Sequence, residues 1–522
     1  MSDPARRPKK LVLGVIDALK PEMLDRAITE GRAPALAALR ERGLYVRDCV
    51  AAFPSLTPVC AASIATGLSV AEHEVPSTNW YHRGERRYVE YGSSFGASQA
   101  HGVRRALIDT VYNLNLAHLT RARRTLFEHL DDAGLRTAGT TYLIYRGRTR
   151  HAAAVEGLYP RLARAAQFSY GTWGPRELFY ADLFASRETG CTSALGMPGQ
   201  RDQHTGCVGA YLVEHDLFDF MLFSLPDNDT HSHRRGPYAQ VTSIASADRA
   251  LERIMHVAGG VDAFLEDHAV IVMSDHSQTA VEDRVALSPA FGDLSVLGPG
   301  DAEPGDADVA VCPTGRFAGV YVLDEERRAE LAPRVAQALG DVNGVDVCAR
   351  LVGDGAEARA SAGGHGGARA NGSEAVVTSA HGELRFAPGG ELTDARGGAW
   401  SVEGDLGVLG LSIDDTRLES RTHPDALRRL WAALACRQSG DVLCSATPGY
   451  EFVDWGGADH IGGGSHGSLH RHDSLGVMLA CGVEAARGES GPAEGSQWSI
   501  EDVTPLVLDH FGLREDRGAG VG

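Results

Sequence analysis

The nine cysteines include no Cys-x-x-Cys pair; they lie scattered from Cys49 to Cys481. That spacing supports neither a disulfide framework nor a thiolate zinc site. No window reaches the ~18 consecutive apolar residues that a membrane-spanning helix needs. The opening MSDPARRPKKLVLGVIDALK is basic, then apolar only over Leu11–Ile16. It reads as a solvated tail and a first strand, not a signal peptide, so no membrane partner is expected and the expected compartment is the cytoplasm. Positive charge is also short. Lys and Arg total 50 against 69 Asp and Glu, a net charge of −19. Such a chain is a poor match for long nucleic acid or anionic lipid, and at first sight for any anionic substrate.

What the chain does have is length, glycine and buried-strand pattern. At 522 residues it can bury a large core without staples. Gly reaches 62 residues, so tight turns should be plentiful. Apolar runs at Leu11–Ile16, Arg136–Tyr145, Phe218–Leu225, His268–Ser274 and Leu475–Ala480 read as strands. Between them, Pro21–Thr29, Pro34–Arg42, Thr125–Ala133, Val241–Val257 and Ile500–Phe511 read as helices. Continuous apolar strands separated by helices predict an α/β fold, a mostly parallel sheet sandwiched by helices. Residues 296–435 differ in texture and read as an inserted, smaller α+β cap region, with a flexible Gly/Ala-rich loop near 353–373. The catalytic core is then 1–295 continued by 436–522.

Position makes the acidic residues informative. Three apolar strands end in metal-ligand chemistry: Asp17; Asp227-Asn228-Asp229-Thr230-His231-Ser232-His233; and Asp275-His276. A parallel sheet binds ligands beyond the carboxyl ends of its strands, and carboxylate with imidazole suits Zn²⁺ or Mn²⁺. One such Asp is ordinarily a helix cap; three strand ends, two with His, point to a metal centre. His466, in GGGSHGSLHRHDS, is flanked by Gly that lets backbone approach a ligand. His470 and His472 read as supporting or surface residues. In AAFPSLTPVCAASIATG, Thr57 and Pro58 read as N-cap and first residue of a helix. The same geometry aims a hydroxyl and free N–H groups at one spot, which suits a phosphate.

These residues together resemble the alkaline phosphatase superfamily, and within it the nucleotide pyrophosphatase/phosphodiesterase family. The likeness rests on Asp17, Phe53-Pro54-Ser55-Leu56-Thr57, Asn79, Asp229 to His233 with Gly236-Pro237, Asp275-His276, and Gly464-Ser465-His466-Gly467, in the family's order. Ser232 stands where the family has Gly, and Glu74 follows His73 where Gly is common. The alternative register Asp227/His231 has the same spacing but puts Gly236-Pro237 out of step. The resemblance implies a two-zinc enzyme, with Mn²⁺ or another divalent metal as substitutes. One ion would sit on Asp229, His233 and His466, the other on Asp17, Asp275 and His276 beside Thr57. It implies hydrolysis of a small phosphate ester through a phosphothreonine on Thr57, with Asn79 holding a phosphoryl oxygen. Phosphonoacetate-type hydrolases and phosphomonoesterases of the superfamily are neighbouring readings. From other classes stand a serine hydrolase using Ser465 in Gly463-Gly464-Ser465-His466-Gly467, and a metal-binding protein without catalysis.

Overall fold

The computed structural model describes residues 8–153, 170–194, 196–300, 305, 307–353, 373–456, 459–483 and 496–513. An eight-stranded sheet forms the centre. Its order is Leu44–Val50, Leu475–Cys481, His268–Met273, Lys10–Ile16, Phe220–Leu225, Thr137–Thr140, Glu177–Tyr180 and Phe184–Ala185. The five strands from His268–Met273 to Glu177–Tyr180 run parallel, and Leu475–Cys481 pairs antiparallel on one flank. Side chains alternate between the faces, as a strand's period of two requires. Leu11, Leu13 and Val15 join one core with the helices Thr57–Thr66, Leu126–Asp132 and Val503–His510. Val12 and Ile16 join another with Pro21–Thr29, Pro34–Arg42, Arg201–Glu214 and Val241–Val257. Both faces are thus covered, and the sheet presents its chemistry only at its edges.

A second, nine-stranded sheet is built from strands between Val309 and Ala446. The helix Arg328–Gly340 packs one face, and Ala426–Ala435 links the other to the main core. Most of this sheet falls in the stretch 296–435 expected to form a cap, but its strand Val442–Ala446, between Phe317–Val322 and Val345–Val352, comes from the stretch expected to continue the core. The sheet's hairpin turn at Gly315 meets the main site, where the Arg316 N–H donates to the His466 carbonyl at 2.8 Å. The Gly/Ala-rich stretch at 354–372 and the N-terminal tail at 1–7 lie outside the described residues.

Three local expectations need correction. The strand expected over Arg136–Tyr145 stops at Thr140, because Thr141 takes a positive φ of 56° and Asn115 captures the N–H groups of Tyr145 and Arg146. Thr57 is the first helical residue and not the cap; Leu56 caps, with no side-chain bond. Cys191 and Cys207 form one disulfide, which their separation of 16 residues did not announce.

Candidate active site

Three adjacent parallel strands, His268–Met273, Lys10–Ile16 and Phe220–Leu225, end side by side. Asp17 leaves the middle strand, Asp275 and His276 follow one neighbour, and the helix Asp227–Arg235 starts from the other. A fourth segment comes from afar. The short strand Gly464–Ser465 pairs with Thr279–Val285 and delivers His466. Gly463 is required there, because a Cβ would fall on the His233 carbonyl oxygen.

The imidazoles share one device. His276 Nδ1 faces the Ser277 carbonyl at 3.0 Å, His233 Nδ1 that of Gly464 at 2.7 Å, and His466 Nδ1 that of Ser55 at 2.9 Å. Each Nδ1–H is donated to backbone, so each ring turns Nε2 inward, as metal-binding histidines do, although Asp229 favours the protonated form of His233 against the pull of burial. His276 Nε2 stands 3.5 Å from both Asp17 and Asp275, and 3.1 Å from the Thr57 hydroxyl. Asp229 Oδ1 stands 3.3 Å from His233 Nε2 and 3.5 Å from His466 Nε2. The His276 and His466 rings stack at 3.9 Å.

Electrostatics mark a site short of positive charge. Burial, then Asp275 and Asp229, raises the Asp17 carboxyl far above its ordinary range. Burial lifts Asp275 to about 6. Burial would lift Asp229 too, but His233, His466 and His276 hold it below the usual carboxylate range. Burial depresses His466 to about 3. Asp17 Oδ1 is buried without a hydrogen-bond partner. Two buried carboxylates, a third that is half-buried, and imidazole nitrogens facing them are what divalent cations neutralise.

A cavity of about 360 Å³ opens on these groups. Its wall includes Asn79, whose amide nitrogen lies 3.0 Å from Glu90 and 3.2 Å from His101. Asp227 turns away: its Oδ1 accepts from Arg201 and Gly199 at 2.8 Å each, while His231 bonds the Ala239 carbonyl. Ser465 is buried in its two-residue strand, so no strand–turn–helix elbow forms around it. His470 caps the short helix Arg471–Ser474, which His472 belongs to.

Sequence reasoning missed several cavity residues. Arg201, Tyr91, Tyr142, Tyr180 and Trp455 line the wall. It also missed His460 and Glu451, described below. A third His/Glu group, His82, Glu85 and His118, lies in and near the Asn79 hairpin. There the Glu85 N–H donates to His82 Nδ1, which leaves the proton on Nε2, and Arg87 takes the other Glu85 oxygen. That arrangement is a hydrogen-bonded ion cluster.

A mostly parallel sheet with carboxylates and imidazoles gathered at its carboxyl edge, around a hydroxyl on a helix N-terminus, is the alkaline phosphatase architecture, and the protein is a phosphoester hydrolase. Within that class the chain belongs to the type I phosphodiesterase/nucleotide pyrophosphatase family, whose signature matches residues 11–348. Among solved structures it is similar to the phosphonoacetate hydrolase of Sinorhizobium meliloti 1021, in complex with phosphonoformate. That match has 17% identity and a TM-score of 0.53, with 98% of each chain covered. It is also similar to an inactive form of murine ectonucleotide pyrophosphatase/phosphodiesterase 5 in complex with AMP. There the identity is 11% and the TM-score 0.54, with 97% of this chain and 96% of that one covered. No curated protein matches the chain by sequence.

Proposed function

We propose that this chain is a two-zinc phosphodiesterase of the nucleotide pyrophosphatase type, cleaving small phosphate esters through a phosphothreonine on Thr57. The observation that carries the reading is the Thr57 hydroxyl 3.1 Å from His276 Nε2, at the first residue of a helix and on the wall of the cavity. Asp17, Asp275 and His276 would hold one ion, and Asp229, His233 and His466 the other. Mn²⁺ or another divalent metal is the alternative occupant. When bound, the ions supply positive charge that lowers the hydroxyl pKa and neutralises phosphoryl oxygens.

The chain's own residues do the rest. Thr57 Oγ, its proton passed to solvent, attacks phosphorus, and the ester oxygen departs on the opposite side and takes up a proton from water; a second water then cleaves the phosphothreonine, releasing the phosphate product and restoring the Thr57 hydroxyl. The N-terminus of the helix Thr57–Thr66 favours the phosphoryl charge. Asn79 donates to a non-bridging oxygen. Glu90 keeps one of its amide hydrogens, so substrate competes with His101 for the second. Replacing Thr57 by Ala should lower turnover by at least about a thousandfold, with metal content unchanged. A Thr57→Ala protein of normal rate would end the proposal. A panel of phosphodiesters, pyrophosphates, monoesters and phosphonates separates this reading from the phosphonate and monoesterase readings.

A cytoplasmic site of action stands against the Cys191–Cys207 disulfide, a bond kept in oxidising compartments. The described residues contain no helix long and apolar enough to cross a membrane. Thiol labelling of protein trapped in intact cells decides: nine reactive thiols after denaturation fit the cytoplasm, and seven fit an oxidising compartment.

A further inference from the structure

The metal-site histidines are not alone. The ring of His233 stacks on His460 at 4.2 Å, and His460 lines the same cavity. His460 belongs to no proposed ligand set, yet it is held with unusual care. Glu451, fully buried, accepts the His460 backbone N–H at 2.7 Å on one oxygen and Nδ1–H at 2.8 Å on the other. Burying a carboxylate is costly, and this one spends both oxygens on a single histidine. The consequence is chemical. In the tautomer this bond selects, the proton sits on Nδ1 and Nε2 is a hydrogen-bond acceptor facing no recorded partner among the described residues.

Its place along the site is also defined. Starting from the Thr57 hydroxyl, four imidazoles follow one another in contact: His276 at 3.1 Å, then ring separations of 3.9 Å to His466, 5.1 Å to His233 and 4.2 Å to His460. Thr57 and His460 are the first and last members of this series. In-line transfer puts the departing oxygen opposite the attacking one; His233, the ring against His460, belongs to the proposed ion set other than the one beside Thr57, which assigns His460 to the leaving-group side.

We propose that His460, oriented by Glu451, is a specificity residue that accepts a hydrogen bond from an O–H or N–H on the leaving group, selecting esters of polyhydroxylated alcohols. This rests on Thr57 being the attacking group.

The test compares methyl glyceryl phosphate with methyl propyl phosphate, in wild type, His460→Phe and Glu451→Gln. Phe keeps a ring against His233 but removes Nε2. Gln keeps size and changes the tautomer. Its carbonyl stays on the backbone N–H, so its NH₂ meets Nδ1 and drives the proton to Nε2, making a donor of the acceptor. The ratio of kcat/KM for the two esters should be at least about tenfold greater in wild type than in either variant, whatever the absolute rates. Equal ratios in all three proteins would overturn the proposal. So would a wild type that cleaves bis-nitrophenyl phosphate but neither alkyl ester. A wild type that cleaves no phosphate ester overturns the phosphodiesterase reading and the leaving-group assignment with it. Independently of turnover, ¹⁵N NMR of labelled histidines should show the His460 proton on Nδ1 in wild type and on Nε2 in Glu451→Gln. An unchanged tautomer would refute the orienting role of Glu451.

Discussion

Asp202 shows how a single buried carboxyl couples this protein to pH. Its Oδ1 accepts the Asp227 N–H at 3.1 Å, while Oδ2 is buried without a partner. Burial, with Asp227 beside it, raises its pKa to about 7. In the unfolded chain the group titrates near ~4. Between those values the folded state binds the extra proton, so this residue's contribution to stability falls as pH rises from about 4 to about 7. Asp202→Asn removes that loss. Its unfolding midpoint relative to wild type should therefore move upward between pH 5 and pH 8. A pH-independent difference would contradict the assignment. Gly463 makes a second residue-scale prediction: Gly463→Ala must push the 460–464 turn off the His233 carbonyl. Metal affinity should fall by about ten- to a hundredfold, as when partners supporting a ligand are lost, measurable by competition with a chromophoric chelator. At this scale the sequence was readable where chemistry follows a strand directly. Asp17, Asp229, Asp275 and His276 announce themselves by position. Glu451 and His460 do not, because a carboxylate becomes informative only once burial removes its water.

Elements were legible wherever one hydrophobic period ran uninterrupted. The expected helices Pro34–Arg42 and Val241–Val257 coincide with the observed ones, since their apolar faces need no distant partner to define them. The strand Thr137–Thr140 was overread because its apolar neighbours pack after a backbone reversal that composition does not encode. The meeting of the cap with the core was hidden for another reason: it joins segments far apart in the chain, in part through a buried ion pair. Arg316, at the end of the Val309–Thr314 and Phe317–Val322 hairpin, reaches Asp473 at 2.5 Å, and both are wholly buried. Arg316 also donates to the carbonyls of Tyr450 and Ala446 at 3.0 Å each, and Asp473 accepts from Ser468 at 2.9 Å and from Thr279. Arg316→Met leaves an uncompensated buried carboxylate next to the segment that carries His466. Unfolding free energy should drop by about 3–5 kcal/mol. The double variant Arg316→Met/Asp473→Leu should recover part of that loss in denaturant titration, because two apolar groups leave no charge stranded.

For the whole molecule, the net charge of −19 takes on a different meaning once the site is located. Acidic surface still disfavours long polyanions. At the sheet edge, however, Asp17, Asp229 and Asp275 converge in a buried place, and mutual repulsion there opposes folding. Two divalent cations would reverse the local sign, turning a site hostile to phosphate into one that attracts it. Stability and activity should then be linked. Ions that bind only the folded chain add RT ln(1 + [M]/Kd), about 2.7 kcal/mol each at a hundredfold excess over Kd. Chelation by phenanthroline should therefore lower the unfolding temperature by several degrees while it abolishes ester hydrolysis, and added Zn²⁺ should restore both. Thr57→Ala separates the two effects: it should lose hydrolysis yet keep most of the chelator-sensitive part of its melting temperature, because the six side chains proposed as ligands remain. A wild-type protein whose melting and turnover both ignore the chelator would remove the metals from the site, and the explanation of its buried carboxylates with them.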